Sequence, residues 1–286
     1  MRSESGFVPS GRVPLAVVLG TNDVASAVGH ALFQAGYGVV MSRDPGQPVL
    51  RRNMAFDDAL IGGPLEIEGV LARPAYGLVD LLHACMERSA ISVTVMELGE
   101  LLCLGLIDVL VDARMRMRAL KVDVRPFARA TIGLGPGFIP GRHVDVAVET
   151  APDLIGVVTD GATLAAHGRS APLAGAGRER FARAPAAGLW LTDRAIGESV
   201  AQGAPLGTCG GALVAAPLAG RLRGLVRSGV DVPEGLKIAE MDPSLDGAPS
   251  WTGLAPRARA IAAATLDAVR LVHAMEAGQV PAASSH

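Results

Sequence analysis

The sequence predicts an α/β protein in which a Rossmann-like, mostly parallel sheet is followed by a small all-β unit and a C-terminal helix. Three observations support this class. Apolar runs alternate with helical patterns up to about residue 160. A segment with glycines at matching positions then occurs twice in succession. The last long pattern in the sequence is helical. Half of the 286 residues are hydrophobic and only 3% are aromatic, so we expect an aliphatic core.

The first elements predict a β-α-β unit. The apolar run PLAVVL indicates a buried strand that ends at Gly20. Apolar residues then recur at helical spacing over 24–35, with Asp23 as the predicted N-cap and Gly36 closing the helix. Residues 38–41 indicate a second strand. This order of elements is typical of the start of a doubly wound sheet.

The same alternation continues along the chain. GLVDLLHACMERSA and ELGELLCLGL predict helices, and AISVTV, IDVLVDA, ARATIGLG and LIGVVTDG predict strands. The segment HVDVAVET, residues 143–150, is interpreted as a short helix. Between residues 49 and 73 we expect a helix at MAFDDAL and a hairpin at PLEIEGVLA. Together these elements define a Rossmann-like domain over 12–160, and the helical pattern over 255–277 forms the C-terminal helix.

Residues 184–207 and 216–239 align without a gap, and Gly188 then falls on Gly220. Each copy is too small to bury a face alone, so we expect the two copies to pack together within 178–243. Their glycine pattern resembles one half of a biotinyl or lipoyl domain, which implies a barrel-sandwich hybrid. The joining segment LGTCGGALVAAPLAG contains no lysine, so no attachment site for biotin or lipoate is expected.

Two glycine turns at the carboxyl ends of predicted strands are the candidate ligand site. The turn LGTNDVASAVG departs from a dinucleotide fingerprint, because asparagine stands where the second glycine belongs and the following aspartate would repel a phosphate. The second turn, GPGF, directly follows the strand TIGL. The candidate cofactor-binding residues are Gly20, Asn22, Asp23, Ala25, Gly135, Gly137, Phe138, Asp145 and Glu149.

The chemistry of these residues stays open at the level of sequence. Asp145 and Glu149 are four apart, so on a helix they would share one face, either as a general acid/base pair or as solvated carboxylates. His143 could contact the same ligand, and His167 is a further candidate. Cys209, on the segment that joins the two repeats, is either a small buried hydrophobe or a thiol presented to a partner. No catalytic residue and no metal-ligand spacing is identified.

Composition excludes several function classes. A net charge of −2 and a pI near 6.3 give no general attraction to nucleic acid or anionic membranes. No apolar stretch is long enough to span a bilayer, and the N-terminal residues lack a signal-peptide core. The three cysteines are odd in number and widely spaced, which argues against a disulfide framework. We therefore expect a bacterial, cytoplasmic protein.

Three stretches carry a resemblance to a known family: VDA at 111–113, GLGPGF…VDVAVET at 133–150, and the repeat region up to 243. They resemble the bacterial selenium-dependent molybdenum hydroxylase system protein family, over most of the chain. Members are accessory factors for molybdenum hydroxylases. The resemblance implies a maturation factor that binds a nucleotide or a molybdopterin-type cofactor across the two glycine turns and docks a client enzyme through the β-barrel.

The chain departs from that family at polar positions. The usual first turn Gly-Ala-Gly-Asp is replaced by Gly-Thr-Asn-Asp, and Glu149-Thr150 is followed by Ala-Pro-Asp where the family carries Arg-Gly-His. The scaffold residues are kept while the polar residues change, which suggests a diverged member. Whether this chain is itself an enzyme is therefore open.

Two alternatives remain at this stage. The chain could be an NAD(P)-dependent oxidoreductase, in which Ser42, Arg43 and Asp44 end the second strand and Arg43 favours a 2′-phosphate. It could instead be a non-catalytic structural or binding subunit of a larger enzyme assembly. The expected partner is a molybdenum hydroxylase or another client enzyme, and the chain could also form a homo-oligomer; no nucleic acid and no membrane is expected.

Overall fold

A computed structural model describes residues 12–117, 119–165, 171–244 and 250–279. The strands are β1 (Leu15–Leu19), β2 (Gly38–Ser42), β3 (Leu65–Ile67), β4 (Val70–Pro74), β5 (Ile91–Thr94), β6 (Val109–Asp112), β7 (Ala130–Leu134), β8 (Val146–Glu149), β9 (Gly156–Val158), β10 (Phe181–Arg183), β11 (Gly188–Leu191), β12 (Ser199–Val200), β13 (Pro205–Cys209), β14 (Ala212–Ala215), β15 (Gly220–Leu225), β16 (Val230–Val232) and β17 (Lys237–Asp242). The helices are α1 (Asp23–Gln34), α2 (Ala59–Gly62), α3 (Leu78–Glu87), α4 (Leu98–Leu101) and α5 (Pro256–Glu276).

The first nine strands form one sheet in the order β3-β4-β5-β2-β1-β6-β7-β8-β9. Every neighbouring pair from β4 to β8 is parallel, and β3 and β9 pair antiparallel at the two edges. The six strands from β5 to β8 have the 3-2-1-4-5-6 order of a doubly wound sheet, so the strand order reverses between β1 and β6. The prediction of a large, mostly parallel sheet is confirmed.

Helices cover both faces of this sheet. On one face α1 and α5 pack against each other, and α5 also lies across β7, β8 and β9. On the other face α3 and α4 cover β2 and its neighbours. The connections from β6 to β7 and from β7 to β8 contain no α-helix in their described residues, and α5 covers these strands instead. The C-terminal helix therefore completes the layer of the large sheet.

The helix predicted at HVDVAVET is wrong, because these residues enter strand β8. Val146, Ala147 and Val148 are all buried, as expected for a central strand that is covered on both faces. Asp145 and Glu149 consequently do not share a helix face. The two residues are four positions apart on extended chain, which corresponds to about 13 Å.

Two other local predictions are corrected in part. The predicted helix at MAFDDAL is divided between two 3-10 turns and the four-residue helix α2. The predicted hairpin is present as β3 and β4, joined by a turn at Glu68 and Gly69. The N-cap of α1 is Asn22 rather than Asp23, because its side chain accepts the amide hydrogens of Val24 and Ala25.

The repeat forms two four-stranded antiparallel sheets, with the orders β10-β17-β15-β12 and β14-β13-β11-β16. Gly188 starts β11 and Gly220 starts β15, 32 residues later (220 − 188 = 32). The same shift carries β10 onto β14, β12 onto β16 and β13 onto β17, and it converts the first sheet order into the second. Each sheet therefore contains two strands from each copy.

The glycines of the repeat hold equivalent turns. Gly197 and Gly229 have φ of +90° and +84°, and Gly203 and Gly235 have +79° and +77°. Residues other than glycine rarely adopt positive φ values, so the two copies need glycine at equivalent turn positions. The two sheets share one apolar core, whose largest side chain is the fully buried Trp190.

No helix in the described ranges is both long enough and apolar enough to cross a membrane.

Candidate functional site

The chain segments that follow β1 and β6, the two strands between which the strand order reverses, approach each other closely. Gly20 follows β1 with φ of +114°, and a Cβ there would lie 3.1 Å from the carbonyl oxygen of Ala113, which follows β6. The side-chain amide of Asn22 donates to the same oxygen at 2.9 Å. Gly20 is thus required by the meeting of two strand ends, independently of any ligand.

The N-terminus of α1 is closed by its own cap. The Asn22 side-chain oxygen accepts the amides of Val24 and Ala25, both at 3.0 Å, and the Ser26 amide bonds the Asn22 carbonyl at 2.8 Å. These are the amides on which a pyrophosphate rests in a dinucleotide fold. Asn22 has φ of −69°, so it is an ordinary N-cap and not a substitute for glycine. A pyrophosphate does not fit here in the Rossmann manner.

Asp23 is engaged away from the turn. Its carboxylate pairs with Arg51 at 2.8 Å, and the same guanidinium donates to the buried Glu240 of β17 at 2.7 and 3.1 Å. Burial opposes the charge on Arg51, but Asp23 and Glu240 more than offset it and raise its pKa. This predicted ligand residue therefore connects the large sheet to the small unit.

A cavity of about 210 Å³ opens at the reversal point, and we call it the switch-point cavity. It is lined by the β1 turn, the loops after β2 and β6, and the start of α5, including Asn22, Asp44, Val49, Arg114, Met115 and Arg257. Three charged residues that line it are already paired: Asp23 with Arg51 at 2.8 Å, Asp44 with Arg116 at 2.5 and 2.8 Å, and Arg114 with Asp112 at 2.6 and 2.9 Å.

Arg257 differs from the other charged groups that line this cavity. Its guanidinium donates to the Thr150 carbonyl at 2.7 Å, and it has no carboxylate within ion-pair distance in the described part of the chain. Burial lowers its pKa, whereas Asp23 and Glu149 act in the opposite direction from farther away. A largely buried guanidinium with spare donors beside a cavity is suited to an anionic ligand.

The second glycine turn lies by a different cavity. Gly137, but not Gly135, lines an open cavity of about 420 Å³ together with Lys121, Arg142 and His143, and we call it the second cavity. A Cβ at Gly135 would lie 3.1 Å from the Met115 sulfur, at the border of the switch-point cavity. The loop after β6 borders both cavities, because Met115 lines the first and Met117 the second.

The Phe138 side chain is too deeply buried to contact a ligand directly. The ring is 1% exposed and packs in the core beneath the sheet. Its amide donates to the Thr163 hydroxyl at 2.9 Å, and that hydroxyl donates to the Gly135 carbonyl at 2.7 Å. Phe138 therefore holds the shape of the turn. Ala25 is likewise fully buried and serves the packing of α1.

The two candidate carboxylates shape loops. Asp145 accepts from the amide and hydroxyl of Thr131 at 2.8 and 2.6 Å. Glu149 accepts three amides, those of Thr150, Ala151 and Leu164, each at 2.7 Å. Neither faces the other, so the proposed acid/base pair is not assembled.

The side chains that an NAD(P)-dependent oxidoreductase would need after β2 are already engaged in contacts within the protein. Arg43 pairs with Asp57 at 2.5 and 2.8 Å, and Thr21 donates to the same carboxylate at 2.5 Å. Ser42 donates to the Met96 carbonyl at 2.7 Å. A 2′-phosphate could use Arg43 only by breaking this pair.

The last two candidate residues are Cys209 and His167. Cys209 is fully buried, contacts the Ala186 carbonyl at 3.2 Å, and has its pKa raised by burial, so it is not a thiol presented to a partner. His167 lies outside the described residues. Among the described residues, no group of three or more His, Cys, Asp or Glu side chains is placed to hold a metal ion.

Fold and site together define an α/β protein with a cavity at the reversal point of a doubly wound sheet. Over 270 residues, 92% of its length, the chain is 33% identical to the uncharacterized protein YqeB of Escherichia coli K12. The chain spans about half of that relative, 48% of its length. No protein-family model matches the chain.

One solved structure is similar at a low level. It is the crystal structure of an aspartoacylase family protein from Mesorhizobium loti, with 10% identity, a TM-score of 0.24, and coverage of 82% of this chain and 86% of that one. Similarity at this level carries no information about fold or function.

Proposed function

We propose that this chain is an accessory protein for the maturation of a molybdenum hydroxylase. In this proposal the switch-point cavity binds the phosphate-bearing end of a nucleotide or molybdopterin-type cofactor, and the small all-β unit docks the client enzyme. The family resemblance of the sequence supports the role. The observation that carries the ligand class is Arg257, a largely buried guanidinium that lines the cavity and has no contacting carboxylate among the described residues.

The cavity fits a phosphate group held by side chains. An arginine guanidinium matches phosphate oxygens with two parallel hydrogen bonds. At about 210 Å³ the cavity is smaller than the ~300 Å³ and more that a whole drug-sized ligand occupies, so the remainder of the ligand lies in the open crevice. Asn22 closes the α1 amides and Arg114 is paired with Asp112, so Arg257 supplies the donors.

The test of the ligand proposal is Arg257→Gln. We expect native mass spectrometry to find a bound nucleotide or pterin on the wild-type protein. Titration calorimetry with GTP and NADP⁺ as first probes should show affinity about tenfold or more weaker in the variant, as expected when a charge-assisted hydrogen bond is lost.

Arg270→Gln is the matched control, since Arg270 lies on the same helix with its side chain 73% exposed. Equal affinities in wild type and Arg257→Gln, or a wild-type protein that binds neither probe and carries no small molecule, would remove the ligand site from this cavity.

For the small unit we propose a barrel-sandwich hybrid used as a docking module. Its two interleaved sheets and 32-residue shift support this architecture. One outer surface carries three exposed leucines, Leu189, Leu191 and Leu213. Leu191 and Leu213 both pair with Thr208 from opposite sides, so they lie in one row across the sheet.

The docking proposal predicts a phenotype in cells. In a strain deleted for this chain, we expect molybdenum hydroxylase activity to fall while hydroxylase protein is still made. Wild-type chain should restore the activity, and the Leu191→Ser, Leu213→Ser double variant should not. Leu154→Ser, at a leucine 59% exposed on the large sheet domain, is the control. Unchanged activity in the deletion strain contradicts the accessory role, and full rescue by the double variant contradicts the docking surface.

A further inference from the structure

The second cavity is lined by hydrogen-bond donors. Its polar side chains are Lys121, Arg142 and His143, and none of its described lining residues is an aspartate or a glutamate. The acidic groups whose charges act on Lys121 and His143 are Asp112 and Asp123 respectively. Both are already paired, with Arg114 and Arg125 respectively. Within the described residues, the cavity is therefore electropositive and has no carboxylate in its lining.

His143 lines the cavity, and one of its two ring nitrogens is engaged by the backbone. Its Nδ1 accepts the amide hydrogen of Ile139 at 3.1 Å, so in the neutral imidazole the proton is on Nε2. Burial, together with Arg142, lowers the pKa of His143 and favours this neutral form. Gly137 lines the same cavity, and its amide has no backbone acceptor among the described residues.

Phe138 positions two of these groups. The Lys121 ammonium lies 4.3 Å from the centre of the Phe138 ring, and His143 meets the same ring edge-on at 6.5 Å between centroids. Lys121 also donates to the Arg116 carbonyl at 3.0 Å, which leaves further ammonium hydrogens available. The buried ring thus fixes a lysine and a histidine beside the Gly137 turn.

We propose that the second cavity is a binding site for a phosphate monoester or a comparable tetrahedral oxyanion. Lys121, Arg142, the His143 Nε2–H and the Gly137 amide are its donors. Several convergent donors are the chemistry that satisfies the oxygens of a tetrahedral dianion. The site is distinct from the switch-point cavity, and it does not depend on Arg257 or on the accessory role.

The test is an amide NMR titration of the full chain with inorganic phosphate at low ionic strength, followed at the Gly137 signal. We expect a saturable shift of that signal in the wild-type protein. Arg142→Gln removes an exposed side chain that has no acceptor in the described residues, so it should weaken the binding about tenfold or more without affecting stability. Lys121→Gln should weaken it similarly, with thermal unfolding as a check on folding.

Two controls keep this result separate from the proposed function. Arg257→Gln should leave the phosphate-dependent shift of the Gly137 signal unchanged, and so should Arg270→Gln. A Gly137 signal that does not respond to phosphate, or an equal response in wild type and Arg142→Gln, refutes the second site. Loss of the response in Arg257→Gln with its retention in Arg142→Gln places the phosphate in the switch-point cavity and also refutes it.

Discussion

Glu240→Ala is expected to destabilise the protein by about 3–5 kcal/mol, because it leaves a buried cluster of guanidinium groups without their carboxylate. Glu240 is fully buried and receives hydrogen bonds from Arg51, Arg180 and Arg223, at 2.7–3.2 Å. The measurement is the free energy of unfolding from urea titration at neutral pH. Glu234→Ala, at an exposed glutamate of the same unit, should change it by less than about 0.5 kcal/mol.

The same interaction predicts a pH dependence. Burial alone would raise the pKa of Glu240, but Arg51 and Arg223 outweigh it and lower the pKa to about 2. A carboxylate with a lowered pKa stabilises the folded state above its unfolded pKa of about 4.3, and this contribution is lost as the pH falls toward 2. The difference between wild type and Glu240→Ala should therefore shrink in acid. A difference below about 1 kcal/mol at neutral pH would contradict the assignment.

Trp190→Ala is expected to cost about 3–5 kcal/mol, since it opens a large cavity between the two small sheets. Trp190 is 0% exposed, and its indole nitrogen donates to the Val226 carbonyl at 3.0 Å. Trp190→Phe keeps much of the volume but leaves that buried carbonyl unpaired, so its cost should be smaller, about 1–3 kcal/mol.

Circular dichroism is the appropriate measurement for this series, because the substitution removes one of the two tryptophans. Leu189→Ala is the adjacent control, at a side chain that is 44% exposed on the outer surface of the same strand. If Trp190→Ala unfolds at the same urea concentration as Leu189→Ala, the core of the small unit does not depend on the indole.

Much of the fold follows from local sequence patterns. The β1-α1-β2 unit was predictable because a buried apolar run and a helical repeat are bounded by Gly20 and Gly36. The paired sheets followed from the aligned glycines. The helix predicted over residues 143–150 is a strand instead. Val144, Val146 and Val148 recur with period two, which is the spacing of a strand rather than of a helix.

The candidate site was predicted less well, and the reason is physical. The turn residues were found because strand ends collect at one edge of a parallel sheet. Arg257 belongs to a helix whose docking brings it to Thr150, 107 positions earlier in the chain. Arg51 meets Glu240 across 189 positions. No short motif encodes such pairs, because they depend on how separate layers pack.

The interleaving of β10–β13 with β14–β17 also limits how the small unit can be divided. A chain cut between the copies loses two strands from each sheet, so neither sheet remains whole. Half of the unit therefore cannot fold as a smaller version of the whole. A peptide containing a single copy could rebuild both sheets only by associating with another, as a twofold dimer. In the intact chain, the covalent link between the copies makes that dimer contact intramolecular and independent of protein concentration.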